Sequence, residues 1–432
     1  MCPSELATNE SNATTSSGKT VAIIGGGPAG LMAAEILIDA VAKVEIYDSM
    51  PTIGRKFLRA GLGGLNITHS EPFDAFCSRY GERQKFMQEF LEDFPPDAFR
   101  DWVHELGIET FVGTSGRVFP KEMKAAPLLR AWVHRLRAAG VRFHHNHRWI
   151  GFGQNDSLIF ETKSDPRESR VETVSVQKPD ATILALGGAS WPQLGSTGAW
   201  AQILMDKGVS VQPWQAANCA FDIAWTNHMR ERFSHEPLKT VSLTFTDVDG
   251  LTETKLGELL ITDYGIEGSL IYWFSKRIRE SINENGKATF FLDLLPGRTI
   301  EKVLKELSKP RGSRSTSRHL QTVLGNNALK KALLYEIIER EKFADAHALS
   351  KAIKALPITT QKVHSLDKAI STAGGVSFNS VDRNLMLKTM PGVFVAGEML
   401  DWEAPTGGYL LTACVASGRW AGKSAARWLA EV

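Results

Sequence analysis

The first strong pattern in the chain is a β-branched apolar run, VAII (21–24), that breaks at Gly25-x-Gly27-x-x-Gly30. It opens into the helical pattern LMAAEILIDA and returns to an apolar strand, VEIYD, ending at Asp48. Helical periodicity then runs through QKFMQEFLEDF, PDAFRDWVHELG and APLLRAWVHRLRAAG, with Gly107 and Gly140 as stops. VRFHHNHRWIGF and the short alternating runs SLIFETK and VETVSV predict an antiparallel meander over about 141–177. ATILALGGASWP reads as a buried strand ending in a glycine turn. Mixed strands follow after about residue 208 (KTVSLTF, GELLIT, KATFFLD), then a helical stretch over 299–355. A last strand, GVFVAGE, leads through APTGGY into a C-terminal helix, and no internal repeat is visible.

The opening strand–turn–helix–strand unit carries a physical mechanism. Gly25 permits a tight turn, Gly27 lets backbone approach a pyrophosphate, and Gly30 lets helix and strand pack closely. The free N–H groups and positive end of the helix attract phosphate. Asp48 lies 18 residues past Gly30, close to the spacing at which an acid meets a ribose hydroxyl. The bland alternative is a glycine turn in an ordinary α/β core. Lys19 before this apolar stretch mimics an export signal, but Gly25–Gly27, Pro28, Glu35 and Asp39 interrupt it. The same interruptions exclude a membrane span, and no other stretch is long and apolar enough for one.

Composition adds little to this picture. The 432 residues are 43% hydrophobic with a net charge of +2, as in an ordinary globular protein of two or three domains. Residues 1–18, rich in Ser, Thr and Asn, read as a disordered tail. Cys2, Cys77, Cys219 and Cys414 show no paired spacing, which suits the cytoplasm and offers neither a redox disulfide nor a metal site. Glycine turns at both ends of the chain predict a split nucleotide-binding domain with its middle inserted.

Three turns share one construction, an apolar strand followed by glycine: IIGGG, ILALGG and VFVAGE. Ligands gather at the carboxyl ends of strands in open parallel sheets. Three such ends suit one extended ligand, FAD, although Gly187 and Gly397 could be ordinary strand-end turns.

With the segments GGLNITHSEP, GTSGRVFPKEMKAAPLLRAW, ALGGASWPQLGSTGAW, GIEGSLIYWFS and PGVFVAGEMLDWEAPTGGYLLTACVASG, the chain resembles a flavoprotein family across residues 21–422. That family is named variously after HI0933-like proteins, aminoacetone oxidase-type enzymes and the bile-acid reductase BaiN. The resemblance implies an α/β fold: a Rossmann-like FAD domain of glutathione-reductase type, interrupted by a β-rich insert with a small helical subdomain. The expected boundaries are 19–207 and 367–432 for the FAD domain, 208–298 and 356–366 for the insert, and 299–355 for the helices. By resemblance, Gly25, Gly27, Pro28, Ala29 and Gly30 cradle the FAD pyrophosphate, and Asp48 with Ser49 takes the adenosine ribose. Gly54, Arg55 and Lys56 match a loop whose charges would neutralise phosphate, unless the two cations are a solvated pair. Further cofactor contacts are implied for Gly61, Gly63, Asn66, Gly187 and Gly188, and for Gly397, Glu398 and Asp401 near the ribityl chain. Thr406, Gly407, Gly408, Tyr409 and Leu410 open the last helix. Thr406 reads as its N-cap, and the glycines bare N–H groups toward the flavin N1–C2=O edge, where charge gathering on reduction would be stabilised.

One departure matters. The family pattern SGGGRCN stands here as Ala60-Gly61-Leu62-Gly63-Gly64-Leu65-Asn66, so Gly64 and Leu65 replace its arginine and cysteine. The remaining candidate catalytic groups are Asn66, His69 and Tyr264, where His69 could equally be a capping histidine and Tyr264 a turn aromatic. Trp191 and Trp402 could wall a flat substrate or pack in the core. Residues 296–342 hold eleven Lys and Arg against five Asp and Glu. Lys309, Arg311, Arg314 and Arg318 crowd a Gly/Ser-rich loop that could track RNA or simply be solvated.

These features predict an FAD-dependent oxidoreductase reducing an electron-poor C=C bond, in a nucleobase of RNA or an enone. The alternatives are an oxygen-dependent amine oxidase and an RNA-associated protein with structural FAD. No second glycine fingerprint appears, so NAD(P)H would bind transiently or another donor would supply electrons.

Overall fold

The computed structural model describes residues 18–38, 40, 43–61, 63–162 and 171–432. Apart from Gly18, the expected tail lies outside these. Five parallel strands form the central sheet: β1 (Thr20–Ile24), β2 (Lys43–Tyr47), β3 (Arg142–His144), β4 (Ala181–Leu184) and β5 (Val393–Val395), in the order β5-β4-β1-β2-β3. β1, β4 and β5 are nearly continuous apolar runs because a parallel sheet is covered on both faces. After β1 the chain builds first to one side, through β2 and β3. It then returns to the other side with β4 and β5. The crevice between β1 and β4 is therefore the topological switch point, where such sheets bind ligands.

Two helices close on that crevice: α1 (Pro28–Leu37) and α3 (Tyr409–Glu431), with the short α2 (Arg55–Ala60) beside it. Small residues allow α1 and α3 to touch backbone to backbone. A side chain at Gly418 would run into the Ala29 backbone, and one at Gly422 would meet Ala33 and Ile36. Two glycines inside a helix cost about 1 kcal/mol each in propensity, which this contact offsets.

The peripheral elements depart from the sequence reading in several places. Arg142–His144 does not start the meander; it pairs in parallel with β2, and the antiparallel meander is His147–Phe152, Leu158–Thr162 and Glu172–Val176. Thr68–His69, Arg117–Pro120 and Thr110–Val112 form a small sheet that the periodicity did not suggest. The insert is an antiparallel sheet built on Pro237–Thr246, Thr252–Ile261 and Ala288–Asp293, with the unanticipated helix Ser269–Asn285 across it. Helices between Ile300 and Lys354 bury Val303, Leu320, Leu333 and Ile353 in the same apolar core as that sheet. The paired strands Val211–Ala217 and Ser371–Val376 carry the chain into and out of the insert.

Gly418→Leu should lower stability by at least ~1–3 kcal/mol, since overpacking at a backbone contact exceeds the gain in helix propensity. A chemical-denaturation midpoint equal to wild type would contradict this packing.

Candidate active site

The cleft at the switch point is lined by Gly25–Ala29, Tyr47–Met50, Gly54–Phe57, Ala185–Gly187, Leu194–Thr197 and Glu398. The three glycine turns end the adjacent strands β1, β4 and β5, so the topology brings them together. Gly25 has φ +110, and a Cβ there would strike the Ala185 carbonyl; Gly30 packs on the Gly25 carbonyl. Gly27 faces open space where a Cβ would stand. Gly27 caps α1 with no side-chain acceptor, and the first turn holds no acid. The first-turn N–H groups are therefore open to an anion.

Asp48 sits at the end of β2 as expected, but its carboxylate has a structural task as well. Oδ2 accepts the Gly26 N–H at 2.8 Å and Oδ1 the Met50 N–H at 2.8 Å. Each oxygen keeps a further lone pair for a ribose hydroxyl. Burial pushes this carboxyl up, while the Met50 and Gly26 N–H groups and the charges of His145 and Arg55 pull against it. Arg55 lines the cleft. The charge of Lys56 is already matched: Nζ meets Glu398 Oε2 at 2.8 Å and donates to Ser190 Oγ at 2.9 Å. Glu398 also accepts the Thr372 N–H at 3.0 Å, so it ties α2 and the turn after β5 to the strand Ser371–Val376.

Several residues expected at the cofactor also have packing or ion-pair contacts within the protein. Gly61 abuts Ala125, Gly188 abuts Thr372 and Glu398, and Gly397 abuts Ala29. Gly63 is exposed with no neighbour, Asp401 is ion-paired to Arg83, and Leu410 packs on the core. Thr406 is not the cap of α3. That position is Gly408, at φ +95, where a Cβ would enter the Thr68 backbone. Trp402 is buried, its Nε1 donating to the Gly397 carbonyl at 2.9 Å, and Trp191 lies under the Arg59 guanidinium.

A second cavity opens at the N-terminus of α3, between the sheet domain and the insert. His69, Ser115, Arg117, Thr406, Gly407 and Tyr409 line one side; Lys255, Leu256, Gly257, Ser269, Leu270 and Trp273 line the other. Each of the three candidate catalytic groups makes hydrogen bonds within the protein. His69 Nδ1 accepts the Glu71 N–H at 3.1 Å, which leaves Nε2 to donate to the Ser115 carbonyl at 3.0 Å. It is a clasp on the 113–116 turn. Asn66 gives both amide hydrogens to backbone carbonyls, Thr68 at 2.8 Å and Val118 at 3.0 Å. Tyr264 stacks on His364 at 3.8 Å and donates to Glu267 at 2.9 Å, away from both cavities.

Sequence reasoning missed the insert side of this cavity. In TETKLGELLI, Glu253, Lys255, Gly257, Leu259 and Ile261 alternate toward the protein. A lysine on the inward face of a strand was the available signal. Nothing local marked His147–Trp149, which line the first cleft from the meander.

Sheet, switch-point cleft and open helix N-termini form a Rossmann architecture, and the family matched by the chain makes it an FAD-dependent oxidoreductase. The chain belongs to the HI0933-like family, whose Rossmann-domain model matches residues 19–424. A 3-dehydro-bile acid Δ(4,6)-reductase of Clostridium scindens is 27% identical over 94% of this chain and 98% of its own length. The ribosomal RNA dihydrouridine synthase of Haemophilus influenzae is 24% identical over 90% of this chain and 93% of its own. Among solved structures, the 3-ketosteroid Δ1-dehydrogenase of Sterolibacterium denitrificans matches 95% of this chain and 100% of its own, with a TM-score of 0.53 and 12% identity. The open form of a flavocytochrome c3 fumarate reductase matches 96% of this chain and 79% of its own, with a TM-score of 0.52 and 14% identity. At these identities the structures show a shared fold. Among the described residues, no helix is long and apolar enough to cross a membrane, and no cluster of His, Cys, Asp and Glu is placed to hold a metal.

Asp48→Ala should weaken FAD binding roughly ten- to a hundredfold, as loss of a charge-assisted contact worth about 1.5–3 kcal/mol. Because Gly26 and Met50 lose their acceptor, the apo protein should also unfold at lower temperature. FAD titration and calorimetry that both match wild type would reject the placement.

Proposed function

We propose that the protein uses FAD to reduce a ring C=C bond conjugated to a carbonyl. The observation that carries this reading is the second cavity, at the uncapped N-terminus of α3 and between the two domains. The residues of the first cleft suit FAD: Gly27 and the start of α1 for the pyrophosphate, Asp48 and Ser49 for the ribose, Arg55 for phosphate charge. Gly407 and Gly408 leave the first N–H groups of α3 without a side-chain cap, suited to the electron-rich edge of a flavin. Bound FAD supplies the hydride. Trp273 and Leu270 give the cavity a flat, apolar wall for a ring, while Arg117 and Lys255 give it positive charge. The network at its floor keeps its protons in fixed places: Tyr409 donates to Glu71 Oε1 at 2.6 Å and Arg79 grips Glu71 with two N–H groups. Burial alone would raise Glu71, but Arg79 and Tyr409 hold it below the ordinary carboxylate range.

A uracil base and a ring enone share the required unit, and the two sequence relatives are named for a dihydrouridine synthase and a bile-acid reductase. We favour the RNA base. Lys309, Arg311, Arg314 and Arg318 are exposed around the 308–315 loop, and among the described residues the only side-chain contact of the four is Arg311 to Thr316 at 2.7 Å. NAD(P)H, bound transiently, is the proposed electron source.

Anaerobic reoxidation of the reduced holoenzyme by a uridine-containing ribosomal RNA fragment, with dihydrouridine detected by mass spectrometry, is the expected result. Reoxidation by a steroid enone alone would assign a small-molecule substrate, and oxygen uptake with a small amine alone would overturn the reductase reading.

Replacing Lys309, Arg311, Arg314 and Arg318 by Ser should leave FAD occupancy intact and weaken RNA binding. The slope of log K against log salt should shrink by about 0.7 per lost phosphate contact. Equal affinity and slope would remove RNA as the partner of this loop.

A further inference from the structure

We infer that Lys255 and Arg117 form a two-sided oxyanion clamp in the second cavity, binding the substrate carbonyl oxygen that becomes negative during reduction. This rests on the reading of the site as a conjugated-alkene reductase. Arg117 stands within the segment GTSGRVFPKEMKAAPLLRAW, and Lys255 lies outside the segments that carry the family resemblance.

The two cations come from different domains. Arg117 begins the strand Arg117–Pro120 of the small sheet beside α3, and Lys255 lies in Thr252–Ile261 of the insert. Both line the same cavity. Among the described residues, neither side chain makes an ion pair or a hydrogen bond, whereas the neighbouring cations are matched. Arg79 grips Glu71, and Arg277 binds Asp247 and Glu253 at 2.7 Å each. The Lys255 ammonium lies over the face of Trp273, with Nζ 3.4 Å from the ring centre. That contact holds the ammonium in place without neutralising it. The acids nearby are committed: Glu71 to Arg79 and Tyr409, and Glu253 to Arg277 and the Trp273 indole N–H at 2.8 Å. The positive end of α3 adds a third source of the same sign.

Two unpaired cations in one partly enclosed space repel each other, so their placement calls for an anion or a group that becomes one. Burial, with Arg79 and Arg117 nearby, lowers the Lys255 ammonium from the ordinary lysine range, against the opposing pull of Glu253 and Glu71. Reduced FAD, when bound, would supply a hydride for the far alkene carbon. The alkene pair shifts toward the carbonyl, and the charge comes to rest on the oxygen between the cations. A proton from water then adds to the near carbon and restores the carbonyl. Stabilisation is greatest when the charge is greatest, which is the requirement for lowering a barrier rather than merely binding substrate.

The test uses the oxidised holoenzyme and an unreactive probe, 4-nitrophenol, titrated between pH 5 and pH 9 and followed by its own absorbance. The anionic form should bind at least tenfold more tightly than the neutral form, so the probe's apparent pKa falls on binding. Lys255→Met and Arg117→Gln should each cut phenolate affinity about tenfold while FAD occupancy and melting temperature stay at wild-type values. Lys255→Arg should restore most of it. Phenol and phenolate binding equally to wild type, or unchanged phenolate binding in both variants, would overturn the clamp. So would inorganic phosphate displacing the probe with equal affinity, since that marks a phosphate site. Turnover separates the two readings: a wild type that reduces conjugated rings but fails the probe test loses the clamp alone. A wild type that binds phenolate yet reduces no conjugated ring keeps the clamp as an anion site and loses the reaction.

Discussion

The whole arrangement depends on one steric constraint, the closeness of backbone around the start of α1. Ala29 is approached by Gly397 from the turn after β5 and by Gly418 from α3. Gly25, just after β1, and Gly30, within α1, close the same corner. None of these contacts tolerates a side chain. Their joint effect is to aim the first turn of α1 into the crevice between β1 and β4, with its N–H groups unspent. A helix start left without a cap is costly in isolation. Here that polarity is stored where a phosphate can use it.

Charge placement follows from this frame. Asp48 and the pair Lys56–Glu398 line the same cleft, Asp48 at the end of β2 and Glu398 in the turn after β5. Asp48 holds the Gly26 N–H, so the residue suited to the ribose also shapes the pyrophosphate turn. The pair Lys56–Glu398 is largely shielded from solvent and shared with Ser190 and Thr372. Such a pair is better understood as fixing which segments meet than as adding much net stability.

What could be read from the sequence was whatever depends on local pattern. The fingerprint at 25–30, the strand ends at 184 and 395 and the long amphipathic helices all announce themselves over short windows. Arg142–His144 was misassigned because three alternating residues cannot reveal whether a strand pairs in parallel or turns back. The helix Ser269–Asn285 begins in a motif, GIEGSLIYWFS, whose aromatic content masks its period. Thr406 looked like a cap by residue type. The close approach of Gly408 to Thr68 moves the true cap two residues on, and that contact spans more than three hundred residues of chain. His69 and Asn66 read as polar groups near a cofactor, and each also donates to a carbonyl of the distant 115–118 segment, which no local pattern shows.

The second cavity could not be read for the same reason, and its geometry rests on a long-range lock. Arg279, buried in the helix Ser269–Asn285, holds Glu403 through two N–H groups at 2.7 and 3.0 Å and also meets the Ala216 carbonyl at 2.8 Å. Asn218 bridges Ser371 and the Ala404 carbonyl at 2.8 Å each. Glu403 and Ala404 immediately precede the glycine turn that starts α3. The insert helix that carries Trp273 is therefore fixed to the segment that aims the last helix. A buried, multiply bonded guanidinium is well suited to this, because its planar donors specify angle as well as distance. The apolar cores of the two domains give each its stability, while these polar contacts set how far the insert's Lys255 stands from the start of α3.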